Sequence, residues 1–512
     1  MSPPWSQAGG GGSIIRPAPA TWGRIDVLRR SGAALFLRSA IRARASDYDV
    51  APMASLLRVL AALFLISLCT AWVVRPDRSR VLRPRLGVPA VVAPGESFTL
   101  QLESSRPFRA PALTVELERV GTDPIPLALS RAHSSGARHD FDVQVPADLD
   151  EGAYTMVVRD GGRVERMPKA VHLRRLWADE LCLVQLADLP EFFPDGSGTR
   201  RMDALVDEIN LVAPDLVVIS GDVAYGGSMD RYERLMAALE RFDAPVVVVI
   251  GNHEYQGLAG FMTHLRVVSH VVDAGPLRIV SANSAHGRDQ FTATQLGWIA
   301  EALEGAGKRT PIVQLHHPLF EGRRVGARRG AFVELCREGR VPIVLSGHWH
   351  ADRVFDASGQ DRRDRSDFDG PIFSVATAAG AMLHPERSSG GDYHGYRVIR
   401  LARERPHGRY AVRSFTYDLD DDGTPDASAS HPAGKLIVDP LWPGGVRVTN
   451  GWNEAVPRAR VWIDLPAGRS GERVEGGRVL GTRARPAGNP GRQVGVEFDL
   501  AARASVDLRV DA

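Results

Sequence analysis

The stretch from Asp215 to Tyr255 constrains this chain more than any other. It opens as Asp-Leu-Val-Val-Ile-Ser-Gly-Asp-Val-Ala-Tyr and, after a helical interval, closes as Pro-Val-Val-Val-Val-Ile-Gly-Asn-His-Glu-Tyr. Twice a β-branched run ends in Gly and then a residue able to bind metal: Asp222 after Gly221, and Asn252 after Gly251. A short apolar run bounded by turn residues reads as a fully buried strand. Residues just past such strands face the crevice at the carboxyl edge of an open α/β sheet, where ligands bind.

The same pattern extends on both sides. Strand-like runs fall at Cys182–Ala187, Leu216–Ser220, Val246–Ile250, Leu277–Ala282, Ile312–Leu315, Ile343–Ser346 and Ile372–Val375, with helical intervals near 200–212, 229–241, 294–304 and 327–337. Strands alternating with helices predict a layered α/β domain, here 178–417. Thr292 or Thr294 is the expected N-cap of the third helix.

The flanks read differently. Residues 80–176 alternate with period two at Phe98, Leu100 and Leu102, at Leu113, Val115 and Leu117, at Phe141, Val143 and Val145, and at Tyr154, Met156 and Val158. With Pro-Gly and Glu-Gly turns between them, these runs predict a small β-sandwich of immunoglobulin or fibronectin type. Alternation returns over 440–512 (Val461, Ile463, Leu465; Val494, Val496, Phe498; Val506, Leu508, Val510), predicting a C-terminal β domain. Between the two lies an acidic linker, 418–439. In it Asp418, Asp420 and Asp422 are spaced like the start of a calcium loop, but the twelfth position is Ala429 instead of Glu. Bound calcium and an acidic surface turn both stay open as readings.

Residues 1–52 are rich in Gly, Pro and Arg and read as a disordered or non-native extension ahead of Met53. From Val59 to Val74 no residue is charged, and basic residues flank the run. Within 53–75 this suits a signal peptide or a membrane anchor through 56–74, so the expected location is outside the cytoplasm: periplasmic, surface-anchored or secreted. The three cysteines, Cys69, Cys182 and Cys336, form neither a disulfide framework nor a zinc spacing. A net charge of +2 supplies no field to recruit nucleic acid. Nor does a strip of mixed basic and aromatic residues accompany the motifs, so nucleic acid is not an expected partner.

Five segments of the α/β region place metal-ligand residue types just after expected strands. They carry Asp188; Asp222 and Tyr225; Asn252 and His253; His316 and His317; and His348 and His350. Mixed carboxylate, imidazole and amide donors suit iron, zinc or manganese. A carboxylate flanked by two donor sets implies a two-metal centre.

The order Asp, Gly-Asp-x-x-Tyr, Gly-Asn-His-Glu, His, Gly-His-x-His resembles the calcineurin-like metallophosphoesterase superfamily, from Asp188 to His350. Most of that superfamily begins with Asp-x-His, whereas this chain has Asp188-Leu189-Pro190. The purple acid phosphatase-like branch also lacks that histidine and carries a tyrosinate ligand where Tyr225 stands. The resemblance implies a layered α/β/β/α catalytic domain. Asp188, Tyr225 and His350 would hold one metal, expected as Fe(III) in that branch. Asn252, His316 and His348 would hold a divalent Fe, Zn or Mn, with Asp222 bridging. His253 would contact the phosphoryl oxygen or protonate the leaving group. The implied reaction is hydrolysis of phosphate monoesters by metal-bound hydroxide, with a phosphorylated small molecule as substrate. Position 326 is Gly where the branch often has another histidine, and Ala351-Asp352-Arg353 replaces its aromatic-Glu-Arg, so the substrate side departs from the pattern. Two alternatives stand beside this reading: a phosphodiesterase or nucleotidase on the same fold, and a non-catalytic metal-binding surface protein. Sequence leaves the oligomeric state open.

Overall fold

The computed structural model describes residues 80–510, apart from 105–112, 191–195, 285–290, 321–327, 363–369, 385–392, 424–425, 427, 442–443, 466–472 and 485–490. The N-terminal extension and the apolar segment with Cys69 therefore lie outside the described residues. Among those described, no helix is long and apolar enough to cross a membrane. The described residues all belong to one compact unit, Asp77–Ala512.

Eight strands between Arg80 and Leu173 enclose one core. The alternating apolar positions point into it: Leu100, Leu117, Val143 and Met156 are completely buried. The long strand Ile125–Ser135 pairs with Leu113–Glu118 through its first residues and with Arg138–Gln144 through the rest. Ala90–Val92 lies parallel to Arg163–Leu173 and also meets His270–Ala274 through Val91 and Ala274. One sheet thus continues from this module into the α/β part.

The α/β part contains two facing sheets. In the first, Val246–Val248, Leu216–Ile219 and Glu180–Leu186 run parallel, and Gly395–Arg403 then Tyr410–Ser414 add antiparallel strands. In the second, Leu277–Ser281, Thr310–Gln314, Ile343–Ser346 and Ile372–Val375 run parallel, with His270–Ala274 and Arg353–Phe355 antiparallel at the flanks. All seven sequence-predicted strands are present. The antiparallel ones carry no comparable apolar-run-plus-glycine signal.

Period-two alternation sorts the layers. Leu181, Leu183, Leu216 and Val218 face Leu277, Ile279, Ile312 and Ile343 between the sheets. Cys182, Val184, Leu186, Val217 and Ile219 face the helices Ser197–Val212 and Met229–Leu239. Val280, Val313 and Val344 face the helices Ala293–Glu304 and Arg329–Glu338. The result is the α/β/β/α layering expected from sequence, flanked by β modules. Helix Ser197–Val212 buries Met202, Leu205, Val206 and Ile209, the spacing of one helical face, each contributing about 1.5–3 kcal/mol. Thr292, not Thr294, caps the third predicted helix, in a reciprocal capping box with Gln295. Leu258–His264 forms an additional short helix.

The C-terminal strands make two small sheets, and their inner side chains Val448, Val494, Val496 and Leu508 join the core that contains helix Ser197–Val212. Glu208 on that helix fastens them, accepting N–H groups of Gly434 (2.7 Å), Lys435 (3.1 Å) and Leu436 (3.0 Å). In the acidic linker, Asp418 accepts the N–H of Asp421 at 2.8 Å and of Gly423 at 2.9 Å, while Asp426 accepts that of Leu419 at 2.8 Å. Asp418, Asp420 and Asp426 bring carboxylates together, with two of the three already serving as turn caps.

Candidate metal centre

Parallel strands end on one edge, and so do the five segments. Asp188 lies two residues beyond Leu186, Asp222 three beyond Ile219, Asn252 four beyond Val248, His316 two beyond Gln314 and His348 two beyond Ser346. Loops must turn sharply there to aim a side chain inward. Asp188 (φ 52°), Asp222 (φ 52°), His348 (φ 72°) and His350 (φ 52°) all adopt the left-handed conformation that non-glycine residues avoid. Such strain concentrates at functional sites because the surrounding structure must hold it. Glycine is required at two neighbouring points. Gly221 has φ 87° and a Cβ there would stand 2.6 Å from His316 Nδ1, while a Cβ on Gly251 would collide with Asp222 Oδ1.

The structure brings all seven sequence-predicted metal residues and His253 to this edge. The Tyr225 hydroxyl and Asp188 Oδ1 lie 3.1 Å and 3.2 Å from His350 Nε2. Asn252 Oδ1 and Asp222 Oδ2 lie 2.9 Å and 3.1 Å from His316 Nε2. The His348 ring centroid is 5.0 Å from that of His316, and its main-chain N–H donates to Asp188 Oδ2 at 2.9 Å. His253 donates its main-chain N–H to Asp222 Oδ1 at 2.9 Å, and its ring lies 4.3 Å from that of Tyr225.

Backbone carbonyls set the histidine tautomers. A carbonyl only accepts, so His316 Nδ1–H donates to Ser220 O at 2.8 Å and His350 Nδ1–H to Met382 O. In the neutral form of both rings the Nε2 lone pair is then left for the centre, the usual support of a metal-binding imidazole. His317 is wired oppositely. Ser284 Oγ already accepts the N–H groups of His316 (3.1 Å) and His317 (2.9 Å), so its hydrogen points to His317 Nδ1 at 3.2 Å. Neutral His317 therefore carries its proton on Nε2. Burial first, then His316 and His348, push its pKa down to about 2.

Electrostatics fit a cation. Asp188 and Asp222 are buried, and Asp188 Oδ1 takes no aligned hydrogen bond. Burial lowers the His316 imidazole, but Asp222 and then Asp188 more than reverse this, raising it to about 9. Asp222 is held well below the usual carboxylate range despite burial, because His316 and His253 favour its charge. Protons on buried imidazoles thus balance two buried carboxylates, a task that metal ions of this donor preference would take over.

Three contributors escaped sequence reasoning. Buried Glu254 accepts N–H groups of Gly251 (2.6 Å), Asp222 (3.1 Å), Val223 (3.0 Å) and Ala224 (3.1 Å), tying the second and third motifs together. Burial and then Asp222 push its pKa up to about 7. Its signal was present: a carboxylate inside an otherwise recognised motif. Ser284 follows the Leu277–Ser281 strand as the ligands follow theirs. His384, whose ring lies 5.3 Å from His350, had no sequence signal. Asp352, by contrast, is withdrawn from the centre: it accepts from Arg397 Nη2 at 3.1 Å, and both side chains are fully buried.

These layers and this edge are the ones that the resemblance to metallophosphoesterases implies. Residues 182–352, which hold all of these donors, match the calcineurin-like phosphoesterase family. Over 169 residues (30% of this chain, 64% of the relative) it is 28% identical to a probable cyclic nucleotide phosphodiesterase of Synechococcus. Over 170 residues (29% of this chain, 54% of the relative) it is 29% identical to a cAMP/cGMP dual specificity phosphodiesterase of Mycobacterium tuberculosis. The chain therefore spans between about half and two thirds of the length of these curated relatives. A solved purple acid phosphatase from yellow lupin seeds aligns with 74% of this chain and 73% of its own at 14% identity and a TM-score of 0.42.

Proposed function

We propose that the chain is a dinuclear-metal phosphoesterase that prefers phosphodiesters. One observation carries the hydrolytic reading: the convergence of Asp188, Tyr225 and His350 beside Asn252, His316 and His348, with Asp222 between them. The first three would hold one ion, the next three another, and Asp222 both. When bound, the ions supply Lewis-acid polarisation of phosphoryl oxygens and lower the pKa of water.

The chain's own residues do the rest. The left-handed backbones and carbonyl-anchored imidazoles hold the donors in place before substrate arrives, so little reorganisation is left for the reaction itself. His253 is anchored through its main chain while its side chain stays 31% exposed, which suits it to pass a proton to the departing alkoxide. His317 offers a neutral Nε2–H beside His316 and His348.

Diester preference is favoured by the two relatives, both named as phosphodiesterases of cyclic nucleotides. The test compares bis(p-nitrophenyl) phosphate with p-nitrophenyl phosphate on manganese-, zinc- and iron-loaded protein. A faster diester rate supports the proposal; a faster monoester rate overturns the preference, and hydrolysis of neither overturns the enzyme. A second reading, an acid phosphatase with ferric iron acting on monoesters, is favoured by the Tyr225 hydroxyl beside His350 and Asp188. We also infer export, from the apolar run 59–74. Protease accessibility in intact cells tests this, and full protection against an added protease would count against it.

A further inference from the structure

A cavity of about 910 Å³ lies where the N-terminal module meets the second sheet, and five arginines are among the residues that line it. Arg83, Arg174 and Arg175 come from the N-terminal side, Arg278 and Arg309 from the α/β side. Two carboxylates, Glu96 and Asp273, share the lining. Arg278 and Arg309 precede the Ile279 and Ile312 positions of their strands, so the cavity opens at the amino edge of the sheet whose carboxyl edge bears His316. Five strand residues at ~3.3 Å each put the two about 16 Å or more apart.

Five guanidiniums line the cavity against the carboxylates of Glu96 and Asp273, with Asp215 beside Arg174 and Asp140 near Arg83. Asp273 accepts two bonds from Arg278 (2.7 Å each) and lies 3.8 Å from Arg309. Arg174 pairs with Asp215 at 2.6 Å and lies 4.1 Å over the Trp177 ring. Glu96 is engaged as a turn cap for the Ala93 N–H. Arg175 spends its guanidinium on the carbonyls of Ala147 and Leu149, and Arg309 donates to Gly275 O, both neutral acceptors. Arg83 Nε is shut off from solvent with no acceptor among the described residues. Bringing guanidiniums together in a concavity costs energy unless an anion answers them. A guanidinium is a planar fork that matches phosphate oxygens two at a time. The volume is that of a small-molecule site, larger than one phosphate needs.

We propose that this cavity binds a chain of two or more phosphate groups, free or carried on a nucleoside, at a site separate from the metal centre. The test is calorimetric titration of the full-length, metal-loaded chain with tripolyphosphate, ADP and inorganic phosphate. The wild type is expected to take up one tripolyphosphate per chain beyond any bound at the metals, weakening as salt rises. The R175Q/R309Q double variant should bind at this site at least about tenfold more weakly, with bis(p-nitrophenyl) phosphate hydrolysis unchanged. ADP binding as tightly as tripolyphosphate would assign the nucleotide-borne form; tripolyphosphate alone would assign the free chain. Wild-type protein with no such event, or titrations identical in wild type and variant, would overturn the proposal. So would binding and hydrolysis lost together, since that places the anion on the metals. Should the double variant fail to fold, R175E at an exposed position repeats the comparison, read by the rise in melting temperature with tripolyphosphate. Hydrolytic activity is measured separately, so failure here leaves the phosphoesterase reading standing.

Discussion

The main-chain N–H of Asp222 donates to the carboxylate of Glu254 at 3.1 Å, so the residue that follows Asn252 and His253 holds the loop that carries the other carboxylate motif. Four N–H groups from two loops converge on this single buried side chain. Glu254→Gln keeps the size but replaces one acceptor oxygen with a donor facing N–H groups. We expect a loss of about 2–4 kcal/mol, seen as a lower urea midpoint, together with weaker metal retention.

Metal uptake should depend on pH through His316. Its folded pKa, about 9, lies above the ordinary 6.5, so in metal-free protein the Asp222–His316 pair stabilises the fold below about pH 6.5 and loses that contribution as pH rises through about 9. A metal must displace this proton. Between pH 7 and 8, apparent affinity should therefore rise about tenfold for one proton released. Competition titrations with a chelating dye measure it; a flat profile would mean His316 does not titrate on binding.

His253→Ala is expected to lower kcat by about 10²–10⁴ while leaving two metals per chain, as befits a proton carrier that is not a ligand. Metal analysis alongside steady-state rates separates the roles. Loss of metal in proportion to activity would make His253 a ligand instead.

Tyr225→Phe removes the hydroxyl that lies 3.1 Å from His350 Nε2. If the iron-dependent second reading holds, iron-loaded wild type is coloured and the variant is not. The visible spectrum decides, and two colourless metals in both proteins would exclude a tyrosinate ligand.

Asp352 and Arg397 form a completely buried pair two residues from His350, with Arg397 also donating to Val375 O (2.9 Å), Ser428 O (3.0 Å) and Phe415 O (3.2 Å). Removing one partner strands the other charge, so Asp352→Asn should cost about 3–5 kcal/mol in denaturant unfolding. The loss should fall on stability more than on KM, because Asp352 faces Ser430 and Thr377, not the centre.

What sequence alone determined were the strand ends and their cargo. A β-branched run, a glycine and a metal-binding residue are local features, and parallel strands necessarily deliver their carboxyl ends to one edge. That made Asp188, Asp222, Asn252, His316 and His348 neighbours, and the alternation of Phe98 to Leu102 and of Val494 to Phe498 marked out the β modules. Tertiary structure alone decided the rest, because each remaining feature joins residues far apart in the chain with no periodic mark. Glu254 grips Asp222 across 32 positions, and Arg397 finds Asp352 across 45. Arg83 and Arg309 face one cavity from separate modules. The C-terminal strands cover helix Ser197–Val212 because its Glu208 satisfies their first N–H groups. Local propensity has no information about such pairings; burial and hydrogen-bond satisfaction settle them only when the layers are packed together.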